Sequence, residues 1–153
     1  MTDRSAFSEE QWHALTDAPV AIMLATELVG DHGPISVVKE TSAGAKAIAR
    51  PAHSGPADAL IAEIVPEAEQ KQARHDAKQH KGGTPNVVVD ALLGDVAKAV
   101  DALAGIPAEE SLQVRRWFAD IGAAVAGASK GVKPSEQELL DRLDGVLGLG
   151  DAS

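Results

Sequence analysis

The stretch Val114-Arg-Arg-Trp-Phe-Ala-Asp-Ile-Gly-Ala-Ala-Val-Ala-Gly-Ala-Ser-Lys-Gly-Val-Lys-Pro-Ser-Glu-Gln-Glu-Leu-Leu-Asp-Arg-Leu143 decides the fold class of this 153-residue chain. Val114, Trp117, Phe118, Ile121 and Val125 recur every three or four residues, the spacing of one buried stripe on a helix that opens at Pro107. Ala123, Ala124, Ala126 and Ala128 place small side chains beside that stripe, which lets a neighbouring helix come close. Lys133 and then Pro134-Ser-Glu136 open another helix, and Leu139, Leu140, Leu143, Val146 and Leu147 form its apolar face before Gly148 and Gly150.

Composition extends this helical reading to the whole chain. Aromatic residues make up 3% of the sequence and there are 28 alanines, so a core must be built from Ala, Val, Leu and Ile. Strands favour the β-branched and aromatic residues, whereas alanine is the best helix former. No cysteine is present, which excludes disulfides, Cys-ligated zinc and a cysteine nucleophile. The net charge of -9 repels phosphate backbones and argues against nucleic acid as a partner. At this length the expectation is a single helical domain over 1–153. The longest apolar run, residues 18–26, falls well short of a membrane span, so no transmembrane segment and a cytoplasmic location are expected.

Working outward, the spacing predicts about seven helices and no strand. Ser8 and Gln11 form a capping-box pattern that starts a short helix running to about Leu15. Asp17 can cap a second helix, with Pro19 in its first turn and Val20, Met23, Leu24 and Leu28 at helical spacing. A third runs from about Pro34 to Ala49, although Ile35-Ser-Val-Val38 leaves room for a more extended start. From Ala57, the residues Leu60, Ile61, Ile64 and Val65 mark another, and Pro66 then either kinks that helix or begins a new one at its first position. Residues 67–83 carry no large apolar side chain and read as an exposed helix or a polar arm, with Lys71, Arg74, Lys78 and Lys81 as the one basic island. Thr84-Pro85 opens the next helix, with Val88, Leu92, Val96, Val100 and Leu103 on its buried face.

The stretch from Ile121 to Leu143 resembles the tellurite-resistance TerB-like family, whose members carry an alanine-rich helix, a loop of the form acidic-Gly-x-apolar-polar-x-x-Glu and a leucine-rich helix. Gly131, Val132, Lys133 and Glu136 fill that pattern, while Ser129-Lys130 stand where the family has an acidic residue. The N-terminal half repeats the idea, with an apolar helix over 20–28, the loop Gly30-Asp-His-Gly-Pro-Ile-Ser36, and then Glu40. Glu40 follows Ile35 by five residues and Glu136 follows Val132 by four, so the halves match imperfectly. The likeness covers about half of the chain, in two blocks of roughly 30 residues. It implies a compact all-α bundle of about seven helices, with two pseudo-repeated helical hairpins as an option. Members are described as stress- or metal-associated proteins without established catalytic activity.

Candidate chemistry is sparse. Asp31, His32 and Glu40, with Asp17 nearby, could bring oxygen and imidazole ligands to the first inter-helix loop, and Glu136 is the matching carboxylate of the second. Hard divalent cations favour such carboxylates, so a divalent cation is the one cofactor to test; a solvated turn is the competing reading. His75 and His80 sit about 140° apart around a helix, too far to share a metal without unwinding. Arg115-Arg116 beside Trp117-Phe118 has the makings of a nucleic-acid surface, but Glu109, Glu110 and Asp120 nearby fit a core edge better. No G-x-S-x-G, Walker, H-E-x-x-H or G-x-G-x-x-G pattern occurs. The expectation is a non-enzymatic protein of a bacterial stress response, acting through a protein partner or weak cation binding. The alternative is an assembly subunit that self-associates through its alanine-rich helices.

Overall fold

A computed structural model describes residues 2–29, 34–77, 85–128 and 132–149, and among these the chain is all-helical, with no strand. After a 3-10 turn at Arg4–Ala6 come six helices: α1 (Glu9–Val29), α2 (Pro34–Ala49), α3 (Asp58–Ala77), α4 (Pro85–Leu103), α5 (Ala108–Ala126) and α6 (Pro134–Leu147). They form a compact bundle in which α1 packs against all five others. Its central position follows from its sequence: Trp12, Leu15, Ala18, Val20, Ala21, Ile22, Met23 and Ala25 are all buried, and they cover every side of the helix. A helix that is apolar all round has no face to give to water.

Six helices replace the seven read from sequence because residues 8–15 and 17–28 are one helix. The capping box at its start forms as expected, Ser8 N–H donating to Gln11 Oε1 (2.9 Å) and Gln11 N–H to Ser8 Oγ (3.2 Å). Asp17 does not cap a second helix; it meets Lys71 Nζ of α3 at 2.7 Å. Pro19 therefore lies inside α1, where a proline costs about 3 kcal/mol. Breaking the helix there would pull Trp12 and Leu15 from the core, and each buried side chain of that size contributes about 1.5–3 kcal/mol. Packing outweighs the proline.

Pro66 is likewise inside α3, neither ending it nor starting another. The polar segment after it continues the same helix to Ala77, and its first turns are docked on α1. Trp12 Nε1 donates to Glu67 Oε2 (2.9 Å), Ala68 is fully buried, and Lys71 reaches Asp17 and Thr16. Residues 78–83 lie outside the described residues. In α4 the buried face centres on Val89, Leu93, Val96, Ala99 and Leu103, so Val88, Leu92 and Val100 flank the contact that they were expected to make. α2 starts at Pro34 as a helix despite its β-branched residues.

The helices alternate in direction. Trp12 with Glu67 and Asp17 with Lys71 make α1 and α3 parallel. Arg115 Nη1 donates to Leu147 O (2.9 Å), which sets the start of α5 beside the end of α6. Thus α1, α3 and α5 run toward one end of the bundle, and α2, α4 and α6 start from it.

Candidate functional site

That shared end brings the last turn of α1 to the first turn of α6. Ser135 Oγ, in the first turn of α6, donates to the carbonyl of Val29, the last residue of α1 (2.9 Å). One hydrogen bond thus joins the end of α1 to the start of α6, across 106 residues of chain.

Glu136 stands next to this junction and is 2% exposed. Its Oε1 accepts the Lys133 N–H (3.1 Å), closing the turn that leads into α6, while its Oε2 is shielded and has no hydrogen-bond partner among the described residues. A carboxylate oxygen in that condition is costly, because it has lost water without a donor in exchange. Glu40, in the second turn of α2, is 1% exposed. The helix that carries it lies close to its neighbours: one turn further on, a Cβ on Gly44 would stand 2.5 Å from Met23 Sδ and 2.9 Å from Val125 Cγ2. Beside Glu40, Thr41 Oγ1 donates to Glu27 Oε1 of α1 (2.9 Å).

Of the four residues expected to ligate a cation, Glu40 and Glu136 are therefore both buried carboxylates at this one end. Asp31 and His32 lie outside the described residues. Among the described residues no group of three or more His, Asp or Glu side chains is placed to hold a metal ion. Two carboxylates fall short of the roughly six to eight oxygens that a hard divalent cation takes in a closed site.

The same end carries the two exposed large hydrophobic residues found among those described. Val87, in the first turn of α4, is 66% exposed, and Val132, just before α6, is 46% exposed. Sequence pattern placed Val132 in a loop and left Val87 unremarked. Only the direction of α4 puts the two at one end.

Several of the other polar groups are committed to structure. Arg115 caps α6 through the Leu147 carbonyl and also donates to Ser111 Oγ (3.2 Å). Trp117 and Phe118 are buried, so neither ring can stack on a base. Lys71, from the basic island, is tied to α1, Arg74 is exposed, and Lys78, Lys81 and His80 lie outside the described residues, as does the side chain of His75. Glu110 accepts both the backbone N–H (2.9 Å) and the hydroxyl (2.7 Å) of Thr2, which holds its carboxyl below the usual range. Burial, with Asp141 adding to it, pushes the carboxyl of Asp144 up. No described helix is long and apolar enough to cross a membrane.

No family model, no curated protein and no solved structure matches this chain.

Proposed function

We propose that this chain is a non-enzymatic, cytoplasmic, TerB-like helical protein of a bacterial stress response. It acts through a protein partner docked at the end where α1 meets α6, with a divalent cation held weakly at that same end. The observation that carries this reading is the Ser135–Val29 contact, which ties the helix end of one family-like block to the helix start of the other, with the buried Glu136 next to it. Val87 and Val132 supply the apolar contact a partner needs, and the bundle's -9 charge selects a partner with a basic face.

Thermal melting with Ca²⁺, Mg²⁺, Mn²⁺ and Zn²⁺ tests the cation. A ligand bound only by the folded state with Kd of about 0.1 mM adds about 1.4 kcal/mol at about 1 mM, or roughly 3–6 °C for a chain of this size. Glu136→Gln should abolish the rise. No rise with any of the four ions at millimolar concentration removes the cation from the reading. Photo-crosslinkers in place of Val87 and Val132 test the partner, with one at the exposed Glu9, at the far end, as control. Identical crosslinking patterns from all three positions would remove the docking face.

Self-association is the second reading. Ala18, Ala21, Ala25, Ala99 and Ala126 are buried inside a single copy, so a second copy would meet Val87 and Val132 before it met an alanine stripe. The mass in solution distinguishes the two, since a monomer leaves that exposed end for a different protein.

A further inference from the structure

At the opposite end of the bundle, the connection between α2 and α3 stands away from α5 and leaves a cavity of about 560 Å³. One wall is residues 51–56 and the other is the outer face of α5. Volumes of this order hold small organic ligands.

The connecting wall is fixed in place. Gln113 Oε1 accepts the Ala57 N–H (2.7 Å), Gln113 Nε2 donates to Asp58 Oδ1 (2.7 Å), and the same Asp58 oxygen accepts the Gly55 N–H (2.9 Å). Gly55 lies so close to this amide that a Cβ there would be 2.6 Å from Gln113 Oε1. The floor is fixed too, since the Trp117 indole N–H donates to the Ala47 carbonyl (3.0 Å). A site whose walls are held before a ligand arrives avoids much of the ordering cost of binding.

Its charges are neither spent nor random. Arg116 is exposed on the α5 wall, with no ion pair or hydrogen bond among the described residues. One turn further on, Asp120 Oδ2 is shielded from water yet has no hydrogen-bond partner among the described residues. The side-chain nitrogen facing it, His53 Nε2 from the opposite wall, stops at 3.6 Å, beyond a good hydrogen bond. Residues four apart on a helix lie about 6 Å from each other on one face. The cavity therefore offers a free guanidinium and, four residues on, a carboxylate whose side chain is 41% exposed, with Leu112 and Pro51 as apolar surface next to them.

We propose that this cavity binds a small zwitterion of the amino-acid type. Its carboxylate pairs with the Arg116 guanidinium, which suits a planar two-oxygen group. Its ammonium pairs with the exposed side of the Asp120 carboxylate. An apolar side chain then lies along Leu112 and Pro51. A simple anion would face Asp120 and Glu109 without compensation, and a simple cation would face Arg116, so one ligand carrying both charges fits best. The proposal is independent of the reading of the other end.

Amide chemical shifts of the intact protein test this, titrated with leucine and phenylalanine and with their carboxamides and N-acetyl derivatives. The free amino acids should shift the amides of residues 52–57 and 112–120, and each derivative should bind at least about tenfold more weakly, having lost one charged contact. Arg116→Gln and Asp120→Asn should each weaken binding by a similar factor. Both side chains are partly or fully exposed, so melting temperature and circular dichroism should stay near wild type and show that the fold is intact. A short peptide with a free N-terminus and an amidated C-terminus separates a free amino acid from a chain end. Absence of shifts with every free amino acid at millimolar concentration overturns the proposal. So does equal binding of the blocked derivatives, or shifts confined to the other end of the bundle.

Discussion

The same substitution at two glycines should move stability in opposite directions. Gly94, in the middle of α4, is exposed, and a Cβ added there would have nothing within 4 Å. Gly94→Ala should therefore show only the helix preference of alanine, a gain of about 1 kcal/mol. Gly44, in the middle of α2, is buried where that helix crosses α1 and α5. A Cβ there would sit 2.5 Å from Met23 Sδ, 2.7 Å from Met23 Cγ and 2.9 Å from Val125 Cγ2. Met23 is flexible and can give way in part. Val125 is fully buried and β-branched, so relieving its contact means shifting α2 or α5. Overpacking of this kind costs about 1–3 kcal/mol, which exceeds or cancels the propensity gain. Gly44→Ala should come out between neutral and about 2 kcal/mol destabilised, so the two variants should differ by roughly 1–3 kcal/mol. For a chain of this length that is roughly 2–10 °C in melting temperature. Urea unfolding with a shared slope measures the difference directly. Equal stabilisation of both variants would refute the close approach of α2 to α1 and α5, and with it the burial of Glu40 one turn away.

Three further substitutions read other parts of the bundle. Leu15→Ala removes a fully buried side chain just before Pro19 and should cost about 2–5 kcal/mol in urea unfolding, whereas two separate helices at this point would let the site collapse and cost less. The Thr2 hydrogen bonds hold the Glu110 carboxyl below the ordinary glutamate range, so its stabilisation is complete above the unfolded value and lost as pH falls through the folded one. The melting-temperature advantage of wild type over Glu110→Gln should accordingly shrink on acidification, and a gap that is constant with pH would show that the Thr2 contacts do not hold in solution. Asp144 is the opposite case, its carboxyl raised by burial and by Asp141, so the charged form destabilises the fold as pH rises through that range. Asp144→Asn should be more stable than wild type at neutral pH, the more so because a negative charge near the end of α6 opposes the helix dipole. That gain should vanish once pH falls below the ordinary aspartate value, where the carboxyl is protonated in both states.

Much of the architecture was legible in the chain. The Trp117-Phe118 and leucine stripes, Pro134 at the start of α6 and the Ser8–Gln11 box are local signals, and each reports on a few neighbouring residues. Pro19 and Pro66 misled because a proline's cost is visible in sequence, whereas the burial of Trp12, Leu15 and Ile64 that offsets it is not. Glu67 and Lys71 look like parts of a solvated segment until Trp12 and Asp17 are placed opposite them.

By itself, the sequence determined that this is an alanine-rich, acidic helical protein with two helix–loop–helix blocks, because composition and periodicity act within a turn or two of the chain. Only the tertiary structure decided that those blocks meet at Ser135 and Val29, that Glu136 is buried there, and that Arg116 and Asp120 face a cavity at the other end. Such facts depend on which helix end lies beside which, and helix direction is fixed by packing across the whole core.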